Sequence, residues 1–413
     1  MIEGHNLRVD GARLWESLME MAKIGGTEKG GCNRQALTAV DAEGRALFRA
    51  WCEQLGCSVS IDGLGSMFAR REGLEDLPPV VIGSHLDTQP TGGKFDGVLG
   101  VLAGLEVLRV LHETGIRTRR PIELVNWTNE EGCRFQPAML ASAVFAGLAD
   151  HGATLEARDA EGIRLGDALA AIGLDASRPV GGRPVAAYLE LHIEQGPILE
   201  AEGADIGFVV TGQGLRWYDV TVTGFESHAG STPMPRRKDA LLAALPIIQG
   251  IREIALSHAP AGRGTVGEMR LLPNSRNVIP GQVQFSVDVR HPEAAILAQM
   301  DEAVRALVAR VAAETGLAIS LTDIAHSAPV PFDPAILAIV REESAAMGLT
   351  GRDIVSGAGH DACNMARAYP SALIFSPCKD GISHNEAEDM KPAWAEAGAN
   401  VLLRTALRVA NAP

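Results

Sequence analysis

Apolar positions recur along the chain at two spacings, and the switches between them mark the elements. Residues 45–55 repeat apolar side chains every third or fourth place and predict a helix, while 58–71 reads as extended segments turning at Gly63 and Gly65. A short apolar strand is expected over 79–83, closed by Ser84-His85-Leu86-Asp87. After a glycine-rich loop, 97–112 is apolar at helical spacing, interrupted by Glu106 and Arg109, and should form a buried helix. Residues 121–128 and 187–193 are further strands, the first ending in Asn129-Glu130-Glu131-Gly132 and the second in Glu194-Gln195-Gly196. Strands alternating with helices place the chain in the α/β class with a largely parallel sheet.

The texture changes near residue 212. From there the pattern predicts a strand to 223, a helix over 236–258, strands over 265–272 and 282–290, a helix over 293–315 and a strand over 317–323. That β-α-β-β-α-β order is the ferredoxin-like α+β pattern. Gly212-Gln213-Gly214 and Ala328-Pro329-Val330-Pro331 bracket it as hinges, and α/β texture resumes afterwards. The expected organisation is a larger discontinuous α/β domain, 1–212 and 329–413, with a smaller domain inserted at 213–328.

Composition adjusts this picture only slightly. With 46% hydrophobic and 21% charged residues the chain can bury a full core. A formal net charge of -14 argues against a nucleic-acid partner, which requires a basic footprint. No run approaches the ~18 consecutive apolar residues of a membrane span, and the first ten residues lack the basic-then-apolar pattern of a secretory signal. Six cysteines without close pairing read as reduced thiols, so the expected compartment is the cytoplasm.

The chemistry-bearing residues sit just after the expected strands, the edge at which open α/β sheets bind ligands. His85 and Asp87 are two apart; on an extended segment they would share a face, letting the Asp87 carboxylate accept the proton on the far nitrogen of a metal-bound His85. Asp96, in a glycine-flanked loop, could reach two metals through its two oxygens. Glu130 and Glu131 lie together at a strand end, and His192 and His384 follow in Glu190-Leu191-His192-Ile193-Glu194-Gln195 and Gly381-Ile382-Ser383-His384-Asn385-Glu386.

Taken in order, these strings resemble the hydantoinase/carbamoylase branch of the M20 metallopeptidase-like amidohydrolases. The matching segments are Gly83-Ser84-His85-Leu86-Asp87-Thr88, Gly92-Gly93-Lys94-Phe95-Asp96-Gly97, Asn129-Glu130-Glu131-Gly132 and Glu190-Leu191-His192-Ile193-Glu194-Gln195. They continue through Ser227-His228-Ala229-Gly230, Asn274-Ser275-Arg276-Asn277, Asp288-Val289-Arg290, Gly357-Ala358-Gly359-His360-Asp361 and Ile382-Ser383-His384-Asn385. The resemblance implies two divalent ions bridged by Asp96, one completed by His85 and His192 and the other by Glu131 and His384. His/carboxylate ligation suits Zn²⁺, and Mn²⁺, Co²⁺ or Ni²⁺ could occupy such sites. Glu130 would be the general base, and Asp87 would support catalysis by orienting His85. His228 and Asn277 would approach the substrate from a partner subunit or a closing lid, with His228 donating to the developing oxyanion. Arg290 would clamp the substrate carboxylate, aided by Gln195 and the backbone near Gly359, while His360 and Asp361 would hold their loop in shape. The inserted domain would serve as lid and homodimer interface.

The reaction so implied removes the carbamoyl group of an N-carbamoyl-L-amino acid or N-carbamoyl-β-alanine, giving the amino acid, ammonia and carbon dioxide. Allantoate amidohydrolases share every implied metal ligand and stay open as an alternative, as does a related peptidase or aminoacylase. The remaining histidines (His5, His112, His151, His258, His291, His326) match no motif and are read as structural or exposed.

Overall fold

The computed structural model describes residues 7–174 and 176–413; His5 lies outside the described residues. The chain is a mixed α/β protein and divides into two compact units, one of Met1–Val210 with Pro331–Pro413 and one of Thr211–Val330.

In the first unit one sheet has the spatial order Ser58–Ile61, Met67–Arg71, Ile122–Trp127, Val80–His85, Ala187–Ile193, Ser371–Ser376, Ile206–Gly212. Its centre is parallel: Val80–His85 pairs in parallel with Ile122–Trp127 and with Ala187–Ile193, which pairs in parallel with Ser371–Ser376. Outside this centre Ser58–Ile61 with Met67–Arg71, Met67–Arg71 with Ile122–Trp127, and Ser371–Ser376 with Ile206–Gly212 are antiparallel, so the sheet is mixed; Gly351–Ser356 also pairs with Ile206–Gly212. The four central strands are buried along their whole length, as parallel strands covered on both faces must be.

Helix Val98–Thr114 packs against this centre, and all but a few of its residues are buried. Glu106, which interrupts its apolar run, is fully buried yet satisfied by Arg13 and by Arg109 at 3.1 Å, so the charge is paired inside the core. The helix expected over 45–55 starts earlier, at Ala39, because Thr38 caps it by accepting from Asp41 N at 3.2 Å. The turn between the first two strands is tied by Asp62, whose carboxylate accepts from Leu64 N and Ser66 N. All six cysteines are free thiols.

The second unit has an antiparallel sheet in the order Met269–Leu272, Gln282–His291, Gly214–Thr223, Ala318–Ser327, with Arg263–Thr265 also paired on Gln282–His291. Its long helices are Ala240–Ser257 and Ala294–Thr315. The strand expected over 265–272 is thus two pieces. The first helix starts at Ala240, after the 3-10 turn Met234–Arg236, because Asp239 caps it there by accepting from Leu241 N and Leu242 N. Alternate residues Tyr218, Val220, Val222 and Val283, Phe285, Val287, Val289 meet Ala243, Ile247, Ile251, Met300 and Val304 in one core. Ala240–Ser257 is long and apolar enough by composition to cross a membrane. Here its buried side faces that core, and Arg252 and Glu253 interrupt the run.

The central strands deliver the site, and one glycine shows how tightly. Gly83 has φ +147, and a Cβ there would lie 2.1 Å from the Val125 carbonyl oxygen on the adjoining strand. Gly83→Ala should therefore cost about 3 kcal/mol or more. A urea-unfolding midpoint unchanged from the parent would contradict this packing.

Candidate metal centre

Six side chains from five places along the chain converge near the carboxyl ends of the parallel strands. His85 ends one strand, His192 lies near the end of its neighbour, and Glu130 and Glu131 follow the strand ending at Trp127. Asp96 comes from the loop before helix Val98–Thr114, and His384 from the loop after the short 3-10 turn Lys379–Gly381. One oxygen of Asp96, Oδ1, stands 3.1 Å from His192 Nε2 and 3.8 Å from His85 Nε2. The other, Oδ2, stands 3.4 Å from His384 Nε2, which is itself 3.5 Å from Glu131 Oε2. His85-Asp96-His192 and Asp96-Glu131-His384 are both groups whose ligating atoms lie within 4.8 Å of one another.

The imidazoles are oriented from behind. His85 Nδ1 donates to the Asp87 carbonyl and His192 Nδ1 to the Ile193 carbonyl, each at 2.9 Å, since a carbonyl can only accept. Both rings thereby present Nε2 to the cluster. The Asp87 carboxylate does not hold His85, contrary to the expectation from spacing. The strand ends at His85, so the alternation argument fails beyond it, and the Asp87 carboxylate instead accepts Glu130 N and Glu131 N, both at 3.2 Å. Asp87 orients His85 through its backbone and the two glutamates through its side chain.

Gln195, at φ +56, donates to Asp96 Oδ2 at 2.8 Å. Asn129 and His384 also have positive φ (+58 and +53), so three non-glycine residues at the cluster are held in a sparsely populated conformation. Gly97 has φ +68, and a Cβ there would fall 2.3 Å from the His85 ring.

The electrostatics are those of carboxylates packed without enough cations. Burial, reinforced by the charges of Asp361 and Glu131, pushes the Glu130 carboxyl well above its ordinary range. Burial and the Asp96 charge push Glu131 up to about 8, and burial with Asp41 nearby takes Asp87 to about 7. Asp96 goes the other way: burial opposes its charge, but hydrogen bonds from His192 and His384 outweigh it and hold the carboxyl well below the usual value. His192 rises to about 9, Asp96 overcoming burial, and His384 rises to about 9 through the same carboxylate. His85 falls to about 4 because burial dominates.

His85 Nε2 is buried without a hydrogen-bond partner and aims at Asp96 and Glu130. An orphaned imidazole nitrogen, two more imidazoles and converging carboxylates form a donor set suited to divalent cations.

The other expected residues group elsewhere. In the second unit a two-stranded ribbon, Ser227–His228 with Val278–Ile279, brings His228 beside Asn277, whose carbonyl accepts Ala229 N at 2.9 Å. His228 Nδ1 accepts from Gly230 N and Ser231 N at 3.0 and 3.1 Å, which leaves the proton of the neutral ring on Nε2. Arg290 meets Asp288 through Nε at 3.0 Å and a terminal nitrogen at 2.7 Å. In the first unit Gly359 is exposed, with the Met139 side chain against it. His360 is buried with its ring 4.4 Å from that of His192, more than a loop-shaping residue requires.

Three neighbours escaped the sequence reading. Gln89 donates to Glu131 Oε2 at 2.6 Å, Ser383 lies 2.8 Å from Asp96 Oδ2, and Glu388 is buried against the Asp96 backbone. Glu388 sits in an acid-rich stretch that reads as a solvated face. Its signal is the glycine at 93, whose missing side chain makes room for it.

A cluster buried at His85, Asp96 and His192 and open to solvent at His384, with one aspartate shared between two histidine-containing groups, marks a protein of the metal-dependent α/β class. The model of peptidase family M20/M25/M40 matches residues 81–408, and the chain belongs to that family. It is 50% identical over 408 residues to an N-carbamoyl-L-amino-acid amidohydrolase of Rhizobium meliloti, covering 98% of each chain. It is 33% identical over 385 residues to an allantoate amidohydrolase of Bacillus subtilis strain 168, covering 92% of this chain and 93% of that one. A crystal structure of an amidase of the hydantoinase/carbamoylase family from Burkholderia multivorans superposes with a TM-score of 0.94 at 56% identity, over 98% of this chain and 99% of that one.

The proton balance gives a testable consequence. Without metal, folded Glu131, His192 and His384 keep protons to about pH 8 or 9, whereas their ordinary values are 4.5 for the glutamate and 6.5 for the histidines. Between pH 6.5 and about 9 the folded state therefore binds more protons than the unfolded one, and stability falls as pH rises. His85, neutral when folded but still half protonated at pH 6.5 when unfolded, opposes this trend at the low end of the window and contributes nothing above about pH 8. The urea midpoint of chelator-treated protein should drop across this window, and a saturating divalent ion should reverse the drop because ligands shed protons on binding. A midpoint that climbs with pH in chelator would contradict the assignment.

Proposed function

We propose that the chain is an N-carbamoyl-L-amino-acid amidohydrolase, a hydrolase of the ureido C–N bond, working with two divalent ions, Zn²⁺ first and Mn²⁺, Co²⁺ or Ni²⁺ as alternatives. The observation that carries this reading is Asp96, with one carboxylate oxygen toward His85 and His192 and the other toward His384 and Glu131. His85, His192, Glu131, His384 and the shared Asp96 would hold the ions. Bound there, divalent ions acidify water and polarise the carbonyl under attack.

The chain's own groups do the rest. Glu130 is 7% exposed and its Oε2 stands 3.5 Å from His85 Nε2, beside the ligand set, where its carboxylate takes a proton from the attacking water. It returns that proton to the departing nitrogen. Water adds to the ureido carbonyl, the bond to the terminal nitrogen breaks, and ammonia leaves with a carbamate that decomposes to carbon dioxide and the amino acid. His228, with Nε2–H as its donating nitrogen, and Asn277 stabilise the oxyanion. Arg290, its guanidinium oriented by Asp288, binds the substrate carboxylate, with Gln195 and the backbone at Gly359 as further contacts. The second unit acts as lid and as homodimerisation surface.

Allantoate is the second reading, favoured by the Bacillus subtilis relative; the greater likeness to the Rhizobium meliloti protein puts the carbamoyl amino acid first. Ammonia release from N-carbamoyl-L-alanine, N-carbamoyl-β-alanine and allantoate should be fastest with the first. Glu130→Gln should keep full metal content and lower kcat by roughly 100-fold or more. Faster turnover of allantoate would transfer the assignment, and a Glu130→Gln enzyme of normal kcat would remove Glu130 as the base.

A further inference from the structure

One carboxylate outside the ligand set fastens together two loops that carry it. Glu388 is 2% exposed. Its Oε1 accepts Phe95 N at 2.8 Å and Asp96 N at 3.1 Å, and its Oε2 lies 3.0 Å from Ser383 Oγ. Ser383 Oγ is in turn 2.8 Å from Asp96 Oδ2, and Gln195 Nε2 donates to the same hydroxyl at 3.1 Å. Glu388 thus holds the Asp96 loop by its backbone and shares with the Asp96 carboxylate the Ser383 hydroxyl, whose single proton is given to one of the two at a time. Ser383 precedes His384, so the same tie sets where that imidazole stands.

The fold makes room for this and for nothing else at that point. A Cβ at residue 93 would lie 1.9 Å from the Glu388 carboxyl carbon and 2.0 Å from Oε1. Gly93 has an ordinary negative or extended φ, so it is required by the neighbouring carboxyl and not by its own backbone. A buried carboxyl satisfied by two backbone N–H groups and a hydroxyl, in a hole left by a glycine, is a built contact.

We propose that Glu388 is a positioning residue for the reaction, one that sets the Asp96 carboxylate against His384 and thereby the geometry in which the metal ions are held. The inference rests on Asp96 being the shared ligand, and it identifies a group that touches neither ion nor substrate. Groups that orient metal ligands from behind alter affinity by roughly 10- to 100-fold when removed.

Co²⁺ binding to chelator-treated protein, followed by its visible absorption and by competition with a chromophoric chelator, tests this without turnover. Glu388→Ala should weaken binding by about 10- to 100-fold and alter the visible band. Glu388→Gln should stay within about threefold of the parent, because its amide oxygen accepts the same two N–H groups and its amide nitrogen donates to Ser383. Gly93→Ala, which drives a methyl onto Glu388, should weaken binding as Glu388→Ala does, and the double variant should be no weaker than Glu388→Ala alone. Parental affinity in a folded Glu388→Ala protein would overturn the proposal. So would parental affinity in Gly93→Ala, which carries the test if Glu388→Ala does not fold, or a Glu388→Gln as weak as Glu388→Ala. A parent protein that takes up no Co²⁺ would instead defeat the reading of Asp96.

Discussion

Asp96 is a buried carboxylate kept ionised by imidazoles on both of its oxygens, and the geometry around it follows from that arrangement. Burial alone would neutralise such a group. His192 on one oxygen and His384 on the other reverse the tendency and hold it charged. Glu130 and Glu131, brought close by the same strand end, are pushed up by burial and by the neighbouring carboxylates, which His384 at 3.5 Å from Glu131 only partly offsets. The site is therefore a surplus of carboxylates around one fixed anion, an arrangement that divalent cations relieve.

The fold serves this constraint in a specific way. Two parallel strands deliver His85 and His192 side by side, and a third ends just before Glu130 and Glu131. Backbone carbonyls lock the two rings by Nδ1, so no side chain is spent on orientation there. Asp87 is freed to bind the N–H groups of the two glutamates, joining the two strand ends through one carboxylate. Loops supply Asp96 and His384, and these are the members that need extra fastening from Gln195, Ser383 and Glu388.

Much of this was legible in the sequence. The strands ending near His85, Glu130 and His192 follow from apolar runs broken by polar residues, and the change of texture near residue 212 reflects a real difference in architecture: parallel and buried on one side, antiparallel and alternating on the other. Local spacing failed at Asp87, where strand alternation was applied past the strand's end. It failed again at Arg263–Thr265 and Met269–Leu272, where one apolar run is two strands. Glu388 was invisible for a different reason: its partners Phe95 and Asp96 are separated from it by 293 and 292 residues, and no local pattern encodes such a contact. The resemblance to a known family supplied the roles of His228, Asn277 and Arg290, which spacing could not.

The most direct test of the shared carboxylate is metal stoichiometry in Asp96→Asn, a substitution that keeps shape and removes charge. Parent protein reconstituted with Zn²⁺ and passed through a desalting column should retain two ions per chain by elemental analysis, and Asp96→Asn should lose both together. A folded Asp96→Asn protein that retains two ions, or that loses one and keeps the other at parental affinity, would contradict the account.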